Sequence, residues 1–332
     1  SSDLLPHWMN AGFSSYSIWW LLCHYEWYRY HGNKAYLEQS RDYIIALLRQ
    51  LMTQIAPDGQ ECLDGTRFLD WPSNSNKDAI AAGLQALMVW GMRVGVEFAE
   101  LFKDRQLSND CKAAEKKLVK AASRVYKKFL ASCPAPDAPG SKQVAALMAI
   151  TGLIDAPKAD KEFLSINGAQ GFSTFYGYYM LEAMAAAGNF QGALDVIREY
   201  WGAMIDLGAT SFWEDFDINW IPNAAPIDEL VPEGKKDIHG DCGAYCYVGF
   251  RHSLCHGWAS GPTSWLSRHI LGVEVLEPGC RQVRITPHLG DLQWVKGTFP
   301  TPYGEIQIYH ERQANGNVIS EVKAPKEVSV IK

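Results

Sequence analysis

The chain has 332 residues, 47% of them apolar and 20% charged, with a net charge of −6. These totals suit a well-buried globular fold of one or two domains, and they argue against a phosphate-backbone partner, which needs concentrated positive charge where this chain has no basic run beyond "KAAEKK". Eight scattered cysteines with no CxxC pair indicate neither a zinc ribbon nor a small disulfide scaffold, and leave the redox compartment open.

No charged-then-apolar leader opens the chain; "SSDLLPHWMNAGF" reads as the inside of a domain, as in a fragment or a mature product. Apolar residues at Tyr36, Ile44, Leu47, Leu48, Leu51 and Ile55 step by threes and fours, as do Ile80, Leu84, Leu87 and Met88, and then Leu118, Val125 and Phe129. That spacing predicts amphipathic helices. The most apolar window, from Ala79 to Met92, is short of the ~20 residues that cross a bilayer and reads as a buried helix. Two stretches, "RYHGNKAYLEQ" and "AAAGNFQGALD", end one helical pattern at Gly and begin another after Asn. Gly32-Asn33 and Gly188-Asn189 are therefore expected to turn helical hairpins, and repeated hairpins suggest a toroid or solenoid.

Roughly eight or nine helical segments are predicted up to Leu271, broken by the Pro-rich run 133–142 and a polar insertion near 221–240. After Gly272 the texture becomes short, β-branched and partly alternating, with Gly, Pro and Asn between runs, so antiparallel strands are expected to the end. The expected domains are a helical one over 1–272 and a β domain over 273–332.

Aromatic residues are abundant, with 12 Trp, 15 Tyr and 13 Phe, and several Trp lie beside carboxylates: Asp70-Trp71, Trp213-Glu214-Asp215 and, further on, Trp220. Sugar rings have apolar faces edged by hydroxyls, so Trp platforms flanked by Asp or Glu acceptors match them, although large aromatics also fill cores. Glu214 follows the helical pattern 192–207, where a carboxylate can reach a cavity and hold a water as general base if a second carboxyl group faces it. Asp215 and Asp217 are expected to cap or form salt bridges. His252 and His256 are four apart, but no Glu stands between them as in HExxH and no third ligand has a fitting spacing. A histidine hydrogen-bonding at a sugar or in the core is expected, with no metal and no other cofactor; the CxxxC of "HGDCGAYC" is taken as structural or incidental.

Together "GATSFWEDFD" (208–217), "RHSLCHGWASGPTSWLSRHILGV" (251–273) and "EPGCRQVRITPHL" (277–289), with "RFLDWP" (67–72), resemble the α-L-rhamnosidase family of inverting glycoside hydrolases, in a divergent form. The similarity runs from about Phe13 to the end. The resemblance implies an (α/α)6 toroid, six helical hairpins around a pocket, followed by a C-terminal antiparallel β-sandwich. It makes Glu214 the general base, puts His256, Asp70 and Trp71 in the sugar site, and adds Trp213 and Trp258 by adjacency.

Family members carry their general acid in an acidic Arg- and Gly-rich motif near the front of the toroid, and nothing like it occurs here. The expectation is a chain that is the C-terminal part of a longer enzyme, its toroid incomplete at the N-terminus, with Asp70, Glu182 or Asp241 as substitutes should the acid lie within it. Inversion by single displacement implies a base-to-acid separation of roughly 6.5–9.5 Å. The substrate reading is terminal α-L-rhamnose or a related sugar on a polysaccharide or glycoside, with a periplasmic or extracellular location favoured. The alternatives are a non-catalytic carbohydrate-binding protein, a toroid glycosidase for another sugar, or a helical scaffold; the fold alone does not name the sugar.

Overall fold

The computed structural model describes residues 12–133, 135–237 and 253–331. Its elements are mostly helical up to Ile270 and strands thereafter. The chain divides into two compact units: one gathers the described parts of Ser1–Leu69, Ile80–Leu130 and Ser267–Lys332, the other those of Asp70–Ala79 and Ala131–Leu266.

The first unit opens with α1 (Ser14–His31), α2 (Lys34–Gln39) and α3 (Arg41–Thr53). Gly32 closes α1 in the left-handed region at φ 67°, and Asn33 caps α2 by accepting the Tyr36 N–H at 3.1 Å. The Gly-Asn turn is therefore as expected, each residue taking the conformation its chemistry favours. The single helix expected across 36–55 is instead two, because the chain breaks at Ser40 and restarts, burying Ile44, Leu47, Leu48 and Leu51 along α3.

Helix α4 (Lys77–Leu101) is longer than the apolar window suggested and, by length and composition, is the one helix among the described residues able to span a bilayer. Most of it is buried, with Leu84, Leu87, Met88, Val89 and Met92 inside, so it is a core helix. Gly95 lets it approach its neighbours: a Cβ there would stand 2.7 Å from Leu48 and 2.9 Å from the Cys111 sulfur. Helix α5 (Arg105–Ser132) turns Leu107, Cys111, Ala114, Leu118, Val125 and Phe129 inward, the stripe that its spacing predicts.

In the second unit, α6 (Ser141–Ile150) is buried along nearly its whole circumference. The short α7 (Ala156–Ala159) runs into a π-helical turn, Asp160–Leu164. Then come α8 (Gly177–Ala186) and α9 (Phe190–Asp206), joined through Gly188 at φ 79° and Asn189, whose side chain accepts the Gly192 N–H. The insertion near 221–240 contributes two short parallel strands, β1 (Ala224–Ala225) and β2 (Lys236–Asp237), and α10 (Gly261–Trp265) ends the unit. The "HGDCGAYC" segment, Asp241 and His252 lie outside the described residues.

The C-terminal strands belong to the first unit and form two three-stranded sheets. One contains β3 (Val273–Val275), β4 (Gln282–Ile285) and β8 (Ser329–Ile331); the other contains β5 (Trp294–Thr301), β6 (Gly304–Arg312) and β7 (Val318–Lys323). Val273, Val275, Val283, Ile285, Phe299, Ile306 and Ile308 form their common core, a sandwich-like arrangement. The expectation of purely antiparallel pairing needs one correction: β8 joins β4 in parallel. A parallel neighbour needs a crossover connection, and the whole β5–β7 sheet supplies it.

Candidate active site

Helix α9 stops at Leu207, and Gly208, at φ 89°, reverses the chain where a Cβ would stand 2.9 Å from Ile227. This turn launches residues 211–217 alongside 253–258, all within the second unit. The Glu214 N–H donates to the Ser253 carbonyl at 2.8 Å, and the His256 N–H to the Phe212 carbonyl at 2.7 Å. These two main-chain bonds bring the "SFWED" and "SLCHGW" motifs, and with them Glu214, His256 and Trp258, together.

The Glu214 carboxylate accepts the Ser253 N–H at Oε2 (2.9 Å), and its Oε1 lies 3.8 Å from His256 Nε2. The side chains are 15% and 35% exposed, so both are reachable and neither is loose in solvent. His256 Nδ1 faces the Trp258 N–H at 3.5 Å, and its Nε2 is turned to the Glu214 side. The Trp258 ring lies 4.4 Å from His256 and stacks on Phe175 with ring centroids 5.2 Å apart.

The main chain of this segment is held as firmly as the carboxylate. Thr174 Oγ1 and Trp258 Nε1 both donate to the Glu214 carbonyl, at 2.5 and 2.7 Å, and the Tyr200 hydroxyl donates to the Phe216 carbonyl. Asp217 accepts the Asn219 N–H and caps the 3-10 turn Ile218–Trp220, its expected role.

Three expectations change. Trp213 is 0% exposed and packs edge-on against Phe216, so its indole is core behind Glu214 rather than an open platform. Asp70 is 1% exposed. Its Oδ2 accepts from Ser173 Oγ at 2.5 Å and Gln143 Nε2 at 3.0 Å, and its Oδ1 from the Trp71 N–H at 2.9 Å, which turns it toward the protein rather than toward a ligand. Asp215, expected as a cap or salt-bridge partner, is buried. Of the other residues weighed, Trp71 is half-buried beside Asp70, and Glu182 is half-buried on α8.

Burial raises the Asp70 carboxyl to about 6 against the pull of its three donors. It raises Asp215 to about 7, helped by the negative charge of Asp70 and opposed by the Phe216 N–H, with Asp217 and Glu214 adding smaller upward pushes. Helix α6 bears two residues that the sequence did not single out. Gln143 holds Asp70, while Lys142 Nζ donates to the Gly168 carbonyl at 2.7 Å and lies 5.0 Å over the Phe172 ring. Burial lowers the Lys142 ammonium to about 8, with Glu199 and Asp160 opposing. Thr174, Ser173 and Ser253 were also missed; each acts through a hydroxyl or an amide at a position set by tertiary contact, and no spacing announces them. Among the described residues no group of three or more His, Cys, Asp or Glu side chains is arranged to hold a metal ion.

The family model for the bacterial alpha-L-rhamnosidase C-terminal domain matches residues 272–331. No curated protein sequence is significantly similar. Among solved structures, a GH78 family rhamnosidase of Bacillus sp. GL1 is 21% identical with a TM-score of 0.70, covering 98% of this chain and 33% of its own. The α-L-rhamnosidase of Aspergillus terreus is 16% identical with a TM-score of 0.68, covering 95% of this chain and 36% of its own. That of Streptomyces avermitilis, solved with L-rhamnose, is 18% identical with a TM-score of 0.62, covering 96% of this chain and 28% of its own. The chain therefore spans about a third of the length of these enzymes. Residues 272–331 thus match the α-L-rhamnosidase C-terminal domain family, and the fold along almost the whole chain is similar to that of the solved α-L-rhamnosidases.

Proposed function

We propose that this chain is the base-bearing part of a glycoside hydrolase that removes terminal α-L-rhamnose, or a closely related sugar, from a polysaccharide or glycoside by single displacement with inversion. The observation that carries the reading is the Glu214 carboxylate, half-buried, anchored by the Ser253 N–H and flanked by His256. In this mechanism Glu214 takes a proton from water as the water oxygen bonds to the anomeric carbon. The glycosidic C–O bond breaks on the opposite face, and the leaving oxygen receives its proton from an acid carboxyl. Asp70 and Asp215 are too deeply buried to deliver that proton, so the acid in this reading is a carboxyl group other than these two. In the same reading, the helices form part of an (α/α)6 toroid, and Trp71, His256 and Trp258 contact the sugar, the aromatics offering their faces. The solved Streptomyces avermitilis and Klebsiella oxytoca rhamnosidases carry rhamnose, which supports the choice of sugar.

The test is turnover of an aryl α-L-rhamnoside by the full gene product and its Glu214→Gln variant. The variant should bind rhamnose normally while kcat falls about 10²- to 10⁴-fold, the ordinary contribution of a general base. Wild-type turnover in the variant would remove Glu214 from that role. Rhamnose binding without hydrolysis in the unmutated protein would favour a carbohydrate-binding protein instead.

A further inference from the structure

We propose that Asp70 is a positioning residue for Glu214, acting through the Ser173–Thr174 dipeptide that joins them. The inference rests on the reading of Glu214 as general base and adds what aims it.

Asp70 sits at one end of the link, with both carboxylate oxygens engaged by protein donors and almost no exposed surface. A buried carboxylate is costly unless its hydrogen bonds are complete, and charge-assisted bonds in a dry site are short and directional. The bond from Ser173 has that character at 2.5 Å. Ser173 is held further, because its Oγ accepts the Tyr176 N–H at 3.3 Å and its carbonyl accepts the Gly177 N–H at 2.8 Å at the start of α8. The next residue, Thr174, donates its hydroxyl to the Glu214 carbonyl at 2.5 Å.

That carbonyl also takes the Trp258 indole N–H, while the Glu214 N–H is committed to Ser253. With both ends of the residue's backbone fixed, only side-chain torsions remain for the carboxylate, and Ser253 holds those. A displacement of Ser173 therefore passes to the Glu214 peptide through one covalent neighbour and one hydrogen bond. All the residues involved lie in the second unit. Asp70→Asn would turn one of the two oxygens into a donor facing a donor, either the Trp71 N–H or the Ser173 and Gln143 pair.

The experiment is a double-mutant cycle in the full gene product with Asp70→Asn, Thr174→Val and the two combined, read as kcat and KM on an aryl rhamnoside. It is accompanied by the ¹⁵N-indole N–H resonance of Trp258, which reports on the shared Glu214 carbonyl without requiring turnover. Each single variant should lower kcat about 10- to 100-fold, the scale of a misaimed catalytic group, with KM within about twofold. The double variant should be no worse than the poorer single one, because both cut the same link. Thr174→Ser should restore kcat, and Asp70→Asn should shift the Trp258 indole signal.

Losses that multiply, or an indole signal unmoved by Asp70→Asn, would overturn the proposal. If Asp70→Asn does not fold, Ser173→Ala cuts the same link and carries the same expectations. Glu214→Gln run alongside separates the two claims: if it retains turnover, the assignment of the base fails by itself, while the indole signal still judges the link.

Discussion

At the scale of single residues, the second unit contains two aspartates that favour the fold when neutral. Asp70 and Asp215 have folded values of about 6 and about 7 against an ordinary value of 3.8, burial being the first cause for both. A carboxyl raised in this way contributes stability that is complete below about pH 4 and is lost as pH rises through the folded value. For Asp215 the window closes near pH 7, and on the order of a few kcal/mol is at stake. Asparagine keeps the neutral shape and removes the titration. The melting temperature of Asp215→Asn relative to the parent should therefore climb by on the order of 5 °C between pH 5 and pH 8. Two melting curves that stay parallel across that range would mean that Asp215 is solvated in the fold. Neither burial was legible in the sequence, where Asp215 reads as a cap and Asp70 as a sugar ligand. Residue type shows what a carboxylate can do; its depth is decided by α6 and the Ser173 turn, which pack from far along the chain. Glu214, His256 and Trp258 were legible because main-chain bonds between their two short motifs suffice to bring them together. Trp213, one residue away from Glu214, is lost to the core.

At the scale of elements, the two Gly-Asn turns were readable because capping is local chemistry: a glycine that accepts positive φ, then an amide oxygen that meets the N–H three residues on. They are not equal in energy. Asn189 caps α9 and its Nδ2 also donates to Asp160 Oδ2 at 2.9 Å and Ser165 Oγ at 3.0 Å, tying the helix to both ends of the π-helical turn. Asn33 caps α2 at an exposed position. Asn189→Ala should cost about 2 kcal/mol and Asn33→Ala nearer 1 kcal/mol by urea unfolding, the difference reporting the two additional bonds. Equal costs would show that the Asp160 and Ser165 contacts are solvent-exchanged. The break at Ser40, the π-helical turns and the inward pairing of Arg67 with the buried Glu61 carboxylate carried no local signal. The Glu61 N–H is taken by Gln85 on α4, whose amide also bridges to the Gly59 and Leu118 carbonyls.

At the scale of the whole molecule, the pattern of helices first and strands last was plain from the change in texture at Gly272, and the family match begins at that residue. The sequence could not show that the strands share a compact unit with the opening helices. Helix α1 and the C-terminal strands are joined by specific contacts. Arg29 donates to the Val275 carbonyl, Cys280 Sγ lies 3.4 Å from the Tyr30 carbonyl oxygen, and the Tyr30 ring packs 6.1 Å from Phe299. The backbones nearly touch: a Cβ on Gly32 would stand 2.8 Å from the Gly279 Cα, an approach that only glycine allows. Removing everything after Leu271 would therefore uncover the Tyr30 side of α1 and strip the partners from its last turn, as well as deleting the sandwich. The shortened chain should lose the cooperative melt of the parent and bind a hydrophobic dye, rather than keep a helical domain of parent stability, because apolar surface returned to water costs about 25 cal/mol per Å². Circular dichroism melts of the two chains decide the matter. A truncated chain that unfolds at the parent temperature would make the strands an independent appendage, and the α1 contacts would then be surface contacts of little energetic weight.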